Sequence, residues 1–169
     1  LPLLAALAAA MAAPAADPVE AARLAGAPRQ LVPLGDGRVL VCLALNGIQA
    51  VTIGADGAVA APAIAEVAAL HALPLDGDRV LVAERTGRLS LHSTAKWPVL
   101  EPLGSWPAEG IPVHLALRDG VVYVSSGGDG MIAYRWEGDR PVLAGRFPFV
   151  DYSKETAFAD GGLMLLADN

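Results

Sequence analysis

The sequence contains one cysteine, few aromatic residues and few charges. Its single thiol, Cys42, cannot form an internal disulfide, and because no His or Lys lies near it in the sequence we predict a buried, unreactive side chain. Charged residues make up 18% and hydrophobic residues 54%, so the chain can bury a core. The net charge of −6 argues against nucleic acid and anionic membrane surfaces as partners, because both require a basic patch.

Long apolar runs are also missing, apart from the uncharged, Ala/Leu-rich segment 1–16. This segment is too short for a membrane-spanning helix, which needs about 20 residues. It ends in Ala13-Pro14-Ala15, a small-x-small pattern that predicts the hydrophobic region of a secretory signal peptide. We expect this signal to be truncated at its start, since no Met or basic residue precedes it; the alternative is a buried Ala-rich helix. No later run is long enough to span a membrane.

An Asp-Gly pair recurs along the chain in steps of 40, 43 and 41 residues, and a short apolar run follows each pair. A repeat of this length made of short strands is typical of a β-propeller with one blade per repeat. The four pairs are Asp36-Gly37, Asp76-Gly77, Asp119-Gly120 and Asp160-Gly161.

The repeat predicts an all-β propeller with three four-stranded blades and the start of a fourth. The predicted units are 30–66, 67–110, 111–154 and 155–169. In the second unit we predict strands over 71–75, 79–84, 88–92 and 99–106, and in the third over 114–118, 121–125, 131–136 and 141–147. The fourth strand of the first unit is predicted over 58–65, although its Ala-rich sequence also favours helix. Since three blades do not close a ring, we expect a fragment of a larger ring, with association of several copies as the lesser alternative.

Segment 17–29 has two interpretations, apart from a plain linker. Asp17, Pro18 and Glu20 are typical of a helix start, and Gly26 of a helix end. The repeat register instead favours an outer strand that completes another blade, because Pro18 precedes its Asp-Gly pair much as Pro141 does.

Three stretches of the third unit carry a family resemblance: 121–125, Asp129-Gly130-Met131 and 140–145. They resemble the LVIVD-repeat propellers, with a good match over 111–169 and a looser one over 30–110. The resemblance implies an exported or surface-attached propeller that binds a ligand or partner rather than catalysing a reaction. Signatures of WD40, sialidase and quinoprotein propellers are missing from the sequence, as are a phosphate-binding loop and a nucleophile elbow.

One set of equivalent positions suggests a site. Counting five residues back from each Asp-Gly pair gives Leu31, His71, His114 and Glu155. In a closed ring, these strand starts would surround the mouth of the central channel. Two imidazoles and one carboxylate are suitable ligands for a divalent metal, so His71, His114 and Glu155 are the predicted metal ligands. The simpler interpretation, which we favour because Leu31 interrupts the set, is that both histidines are solvated polar residues.

Other polar and aromatic residues are weaker candidates. The loops around 84–86, 125–129 and 168–169 contain polar residues, but Gly, Asp and Asn are also what tight turns require. We expect Trp97, Trp106 and Trp136 to pack between blades rather than to form a sugar-binding shelf, and His92 to be at the surface.

The sequence therefore predicts an exported binding or interaction module that is secreted, periplasmic or attached to the cell surface. The alternative is a metal-dependent propeller hydrolase of the lactonase type. No catalytic residue is identified, no cofactor is assured, and a divalent metal is the one candidate cofactor. Ligand, substrate and oligomeric state are not predicted.

Overall fold

A computed structural model describes residues 23–148, 153–159 and 164–168. The predicted signal peptide lies outside the described residues, as does the first part of segment 17–29. The described part of that segment, 23–29, forms neither a helix nor a strand.

The described residues form an all-β structure with three four-stranded antiparallel sheets and one two-stranded sheet. Each large sheet is a simple meander in chain order, as the repeat predicted. Sheet 1 contains β1 (Gln30–Gly35), β2 (Arg38–Cys42), β3 (Ile48–Gly54) and β4 (Gly57–Ala60). Sheet 2 contains β5 (Ala69–Asp76), β6 (Arg79–Glu84), β7 (Arg88–Ser93) and β8 (Glu101–Pro107). Sheet 3 contains β9 (His114–Arg118), β10 (Val121–Ser125), β11 (Met131–Glu137) and β12 (Arg140–Phe147), and β13 (Ser153–Phe158) pairs with β14 (Met164–Asp168).

The predicted strands of the second and third units are confirmed to within about two residues, which is the usual uncertainty of strand ends. The fourth strand of the first unit is shorter than predicted. It ends at Ala60 because Pro62 has no N–H to donate to a ladder, and Ile64 returns only as an isolated bridge to Ile48.

The Asp-Gly pairs do not all occupy the same turn position. Asp36-Gly37 and Asp119-Gly120 are two-residue hairpin loops with positive φ at both residues, the conformation that type I′ turns require. Asp76, in contrast, is still paired with Arg79 inside the ladder, so Gly77 and Asp78 form that loop. The fourth pair lies outside the described residues.

Two apolar layers hold the sheets together. Between sheets 1 and 2, Leu40 and Cys42 of β2 pack with Val80 and Val82 of β6. Between sheets 2 and 3, Leu81 and Ala83 on the opposite face of β6 pack with Val122 and Val124 of β10. The second strands are therefore apolar on both faces because each large sheet contacts a neighbour, and β6 is buried from both sides.

The first strands of successive sheets also contact one another, β1 with β5, β5 with β9, and β9 with β13. The start of each sheet is thus held next to the start of the following one, which brings equivalent residues of different repeats together. In the described part of the chain, no helix is long and apolar enough to cross a membrane.

Replacing Leu81 by Ala should destabilise the protein strongly. Leu81 is fully buried between sheets 2 and 3, so we expect the free energy of unfolding to fall by about 2–5 kcal/mol in urea denaturation. Leu45 is 69% exposed and provides the matched control, for which truncation to Ala should cost less than about 0.5 kcal/mol. Equal losses in both variants would contradict the described packing.

Replacing Gly120 by Ala should destabilise through the backbone alone. Gly120 has a φ of 74°, and an added Cβ would meet no atom within 4 Å, so the cost is the left-handed conformation, about 1–2 kcal/mol. Gly128, whose added Cβ would also meet nothing within 4 Å, lacks a positive φ and is the control. Thermal melting of both variants measures the difference, and an unchanged midpoint for Gly120→Ala would argue against the described turn.

Candidate functional site

The first strands bring together four equivalent residues, three of which the sequence identified. His71 pairs with Ala83, His114 with Ser125, and Glu155 with Ala167, each at the start of its sheet. In sheet 1 the equivalent of Ala83 is Cys42, because both side chains pack against the following sheet.

The partner of Cys42 is Gln30, so Gln30 and not Leu31 occupies this position. Assigning Leu31 was wrong, because the Asp-Gly pairs are not structurally equivalent and bulges interrupt β1 and β5. Leu31 is instead 60% exposed. We call Gln30, His71, His114 and Glu155 the first-strand column.

Gln30 connects sheet 1 to sheet 2. Its Oε1 accepts a hydrogen bond from the backbone N–H of Ala72 at 2.7 Å, and this fixes the orientation of the amide. Its Nε2 then lies 2.7 Å from His71 Nε2 and donates to it. His71 is therefore a neutral imidazole with its proton on Nδ1, and Nδ1 is buried without a partner among the described residues.

His114 makes the same kind of connection from sheet 3 to β13. Its Nδ1 accepts a hydrogen bond from the backbone N–H of Thr156 at 3.3 Å. The hydroxyls of Thr156 and Ser125, both buried, are 2.9 Å apart beside this contact. In both cases a column side chain accepts from the residue that follows the next column position, so the column links neighbouring first strands through backbone N–H groups.

The two imidazoles lie against each other with ring centroids 4.2 Å apart. Burial, together with the nearby His114, lowers the pKa of His71 to about 3. Burial also lowers the pKa of His114, although Glu155 opposes that shift. Both rings are therefore neutral at physiological pH, and protonation of His71 would in addition destroy its hydrogen bond from Gln30.

A polar cavity of about 340 Å³ opens at the column. Besides the four column residues, it is lined by Arg29, Leu70, Val113 and Lys154. Arg29, Lys154 and Glu155 are exposed at its edge, so cations outnumber carboxylates there. The cavity thus offers amide and imidazole groups inside and positive charge at its mouth.

The proposed metal ligands His71, His114 and Glu155 all line this cavity, but the imidazole lone pairs are already used. A neutral imidazole has one nitrogen lone pair, and here Gln30 Nε2–H and Thr156 N–H occupy those of His71 and His114. Within the described ranges, no three His, Cys, Asp or Glu side chains are arranged to hold a metal ion. Metal binding would therefore require both hydrogen bonds to break.

Cys42 contributes packing rather than chemistry, as predicted. It is fully buried between sheets 1 and 2, and burial raises the pKa of its thiol to about 12. Its Sγ lies 3.6 Å from Gln30 Oε1.

The tryptophans pack between sheets, also as predicted. Trp106 and Trp136 form an edge-to-face pair with centroids 5.6 Å apart, which joins sheets 2 and 3. Trp97 Nε1 donates to Thr52 Oγ1 at 2.7 Å and joins sheets 2 and 1.

Sequence reasoning missed a second polar group, on sheet 2. His92, expected at the surface, is only 3% exposed, and its Nε2 lies 3.0 Å from Ser90 Oγ, which is 4% exposed. Glu84 at the end of β6 is 6% exposed and accepts a hydrogen bond from Thr86. The signal was available: Ser90 and His92 alternate with Leu89 and Leu91, which places both polar side chains on one face of a strand that is buried on both faces.

Comparison with protein-family models gives no match, and no curated protein matches the chain significantly.

The histidine pKa shifts make stability pH-dependent. His71 titrates near 6.5 when unfolded and near 3 when folded, so the unfolded state binds more protons in that window. The stability that neutral, buried His71 allows is fully present above about pH 6.5. On acidification toward pH 3 the free energy of unfolding falls, by up to about 1.4 kcal/mol per pH unit. Urea denaturation at pH 7.5 and pH 5 should therefore show a larger loss for the wild type than for His71→Gln.

Gln is the matched replacement because Gln30 occupies the equivalent position in sheet 1. His71→Gln should retain part of the pH dependence, since burial also lowers the pKa of His92 and His114. If wild type and variant lose the same stability between the two pH values, His71 is not buried as described.

Proposed function

We propose that the three large sheets and the β13–β14 pair are consecutive blades of a β-propeller that acts as an exported binding module. The blade arrangement is supported by the stacking of the sheets in chain order and by their adjacent first strands, which would be the inner strands around one axis. As part of the same proposal, the chain is a relative of the LVIVD-repeat propellers. It is also exported, which the apolar segment 1–16 favours. Cell fractionation and mass spectrometry of the expressed protein would test export, with removal of segment 1–16 as the expected result.

The observation that carries the binding role is the cavity at the first-strand column. Equivalent residues of successive sheets converge on it, which is how a repeat scaffold builds a binding surface. Arg29 and Lys154 at its edge, with imidazole and amide groups behind them, fit a small organic anion such as a dicarboxylate. The opposing Glu155 would favour ligands that also present a hydrogen-bond donor.

The metal-dependent hydrolase is the less favoured function. Its ligands would have to be His71, His114 and Glu155, and the two imidazole lone pairs are engaged in contacts between first strands. If these contacts hold in solution, zinc should bind no better to the wild type than to the His71→Ala, His114→Ala double variant.

Titration of the full chain with succinate, followed by calorimetry, tests the binding role. We expect saturable binding to the wild type. Arg29→Gln should weaken it by about tenfold or more, because a charge-assisted hydrogen bond contributes about 1.5–3 kcal/mol. Arg140→Gln removes an exposed guanidinium at the first residue of β12 and should leave the dissociation constant unchanged.

The same protein preparations distinguish the two functions. Zinc-dependent hydrolysis of a simple lactone that disappears in His71→Ala would overturn the binding role in favour of the hydrolase. Equal weakening of succinate binding by Arg29→Gln and Arg140→Gln would show that the anion responds to overall charge and not to this cavity.

A further inference from the structure

Sheets 2 and 3 have the same register, which allows them to be compared residue by residue. Gly104 of β8 pairs with Leu91, and Gly145 of β12 pairs with Ala133, each beside a bulge in the same place. The next residue of the outer strand is Ser105 in sheet 2 and Arg146 in sheet 3. Ser105 and Arg146 are therefore equivalent.

In sheet 3 this position carries a guanidinium that is paired with the preceding linker. The guanidinium of Arg146 binds both carboxylate oxygens of Glu109, which lies in the linker five residues before His114. Tyr134 fills the space beside them, and its hydroxyl accepts a hydrogen bond from the backbone N–H of Glu109 at 3.1 Å. Ile132, the partner of Arg146, adds to the apolar layer behind.

In sheet 2 the equivalent outer-strand residue carries no guanidinium. Glu66 lies in the preceding linker five residues before His71, as Glu109 does before His114, but the facing outer-strand residue is Ser105. His92 and Ser90 stand where sheet 3 has Tyr134 and Ile132. A groove of about 580 Å³ results, which we call the linker groove. Its lining includes Glu66, Glu84, Thr86, Ser90, His92 and Ser105.

The walls of the linker groove contain two buried polar side chains that the protein satisfies only in part. Glu84 is 6% exposed and has no cation within 4.0 Å among the described residues. His92 is 3% exposed, and its Nδ1 has no hydrogen-bond partner in the described structure. Burying polar groups that are only partly satisfied costs stability, and sheet 3 shows that the fold accepts Ile and Tyr at the positions equivalent to 90 and 92.

The cationic side chain that lines the groove forms no ion pair with these carboxylates. Arg88 also lines the groove, but its Nε donates to Ser105 Oγ at 2.8 Å and its Nη2 to the Ser105 carbonyl at 3.1 Å. Neither Glu66 nor Glu84 lies within ion-pair distance of it. The groove thus keeps an excess of negative charge beside the position where sheet 3 places a guanidinium.

We propose that the linker groove is a binding site for a guanidinium group, which occupies in sheet 2 the place that the side chain of Arg146 occupies in sheet 3. Glu66 binds the planar cation as Glu109 binds Arg146. Deeper in the groove, Glu84 supplies carboxylate oxygens as acceptors and the His92 ring shapes the wall. This site is separate from the first-strand column and requires no ligand there.

The test is a titration of the full chain with ethylguanidinium, with ethylurea as its neutral analogue of the same shape. The ring resonances of His92 in an isotope-labelled sample report occupancy by NMR. We expect ethylguanidinium to shift them saturably at millimolar concentration, and ethylurea to shift them at least tenfold less. Equal responses to both compounds, or no response to either, would overturn the proposal.

Three variants locate the site. Glu66→Gln should weaken binding about tenfold without changing the melting temperature, since Glu66 is exposed, and Glu137→Gln, an exposed carboxylate of sheet 3, should leave binding unchanged. Ser105→Arg supplies the guanidinium from the chain itself and should abolish binding while raising the melting temperature. Undiminished binding to a folded Ser105→Arg protein would contradict the proposal.

A guanidinium could come from a free small molecule or from an arginine side chain. Blocked Gly-Arg-Gly and Gly-citrulline-Gly peptides distinguish these sources, because citrulline keeps the shape and loses the charge. Tighter binding of the arginine peptide than of ethylguanidinium identifies a peptide ligand, and weaker binding identifies a free small molecule. Equal binding of the arginine and citrulline peptides would overturn the requirement for charge.

Discussion

The described structure depends on how the free edge of each first strand is satisfied. A first strand pairs on only one side, so its outward N–H groups need partners that no strand supplies. Here the partners are side chains of the preceding sheet: Gln30 accepts from Ala72, and His114 accepts from Thr156. These contacts join sheet 1 to sheet 2 and sheet 3 to β13, while the apolar layers on β2, β6 and β10 provide the bulk of the stabilisation. The same contacts build the polar cavity, so the proposed binding site follows from a structural need.

The same structural need also explains why both glutamine and histidine occupy positions of the first-strand column. Each can present a neutral acceptor to a backbone N–H and still offer a donor to its neighbour. A metal ligand needs that acceptor lone pair for itself, which places the structural and metal-binding uses of His71 and His114 in direct competition. The linker groove is free of this conflict, because the side-chain hydrogen bonds of Glu84 and His92 go to Thr86 and Ser90 and hold no strand edges together.

Much of the fold could be predicted from the sequence, because the repeat shows which strands belong to one sheet, and the pattern of a single strand does not show this. The strands of sheets 2 and 3 were located almost residue by residue, since each apolar run lies between turn residues. Gln30 was missed because sequence counting treats Asp36-Gly37 and Asp76-Gly77 as equivalent, whereas bulges and different loop positions shift the pairing by one residue. His92 was misplaced because its alternation with Leu89 and Leu91 shows which face of the strand it occupies, but the burial of that face depends on the neighbouring sheet. The pairing of Arg146 with Glu109 joins an outer strand to a linker and has no signature in spacing.

Cys42 can serve as a natural probe of the contact between sheets 1 and 2. As the sole thiol, fully buried between sheets 1 and 2 with its pKa raised to about 12, it is shielded from alkylating reagents while those sheets stay together. The rate at which an alkylating reagent modifies Cys42 therefore reports how often the two sheets separate, and no label has to be introduced. The single thiol therefore reports local opening next to the column, and ligands that bridge sheets 1 and 2 would slow its modification.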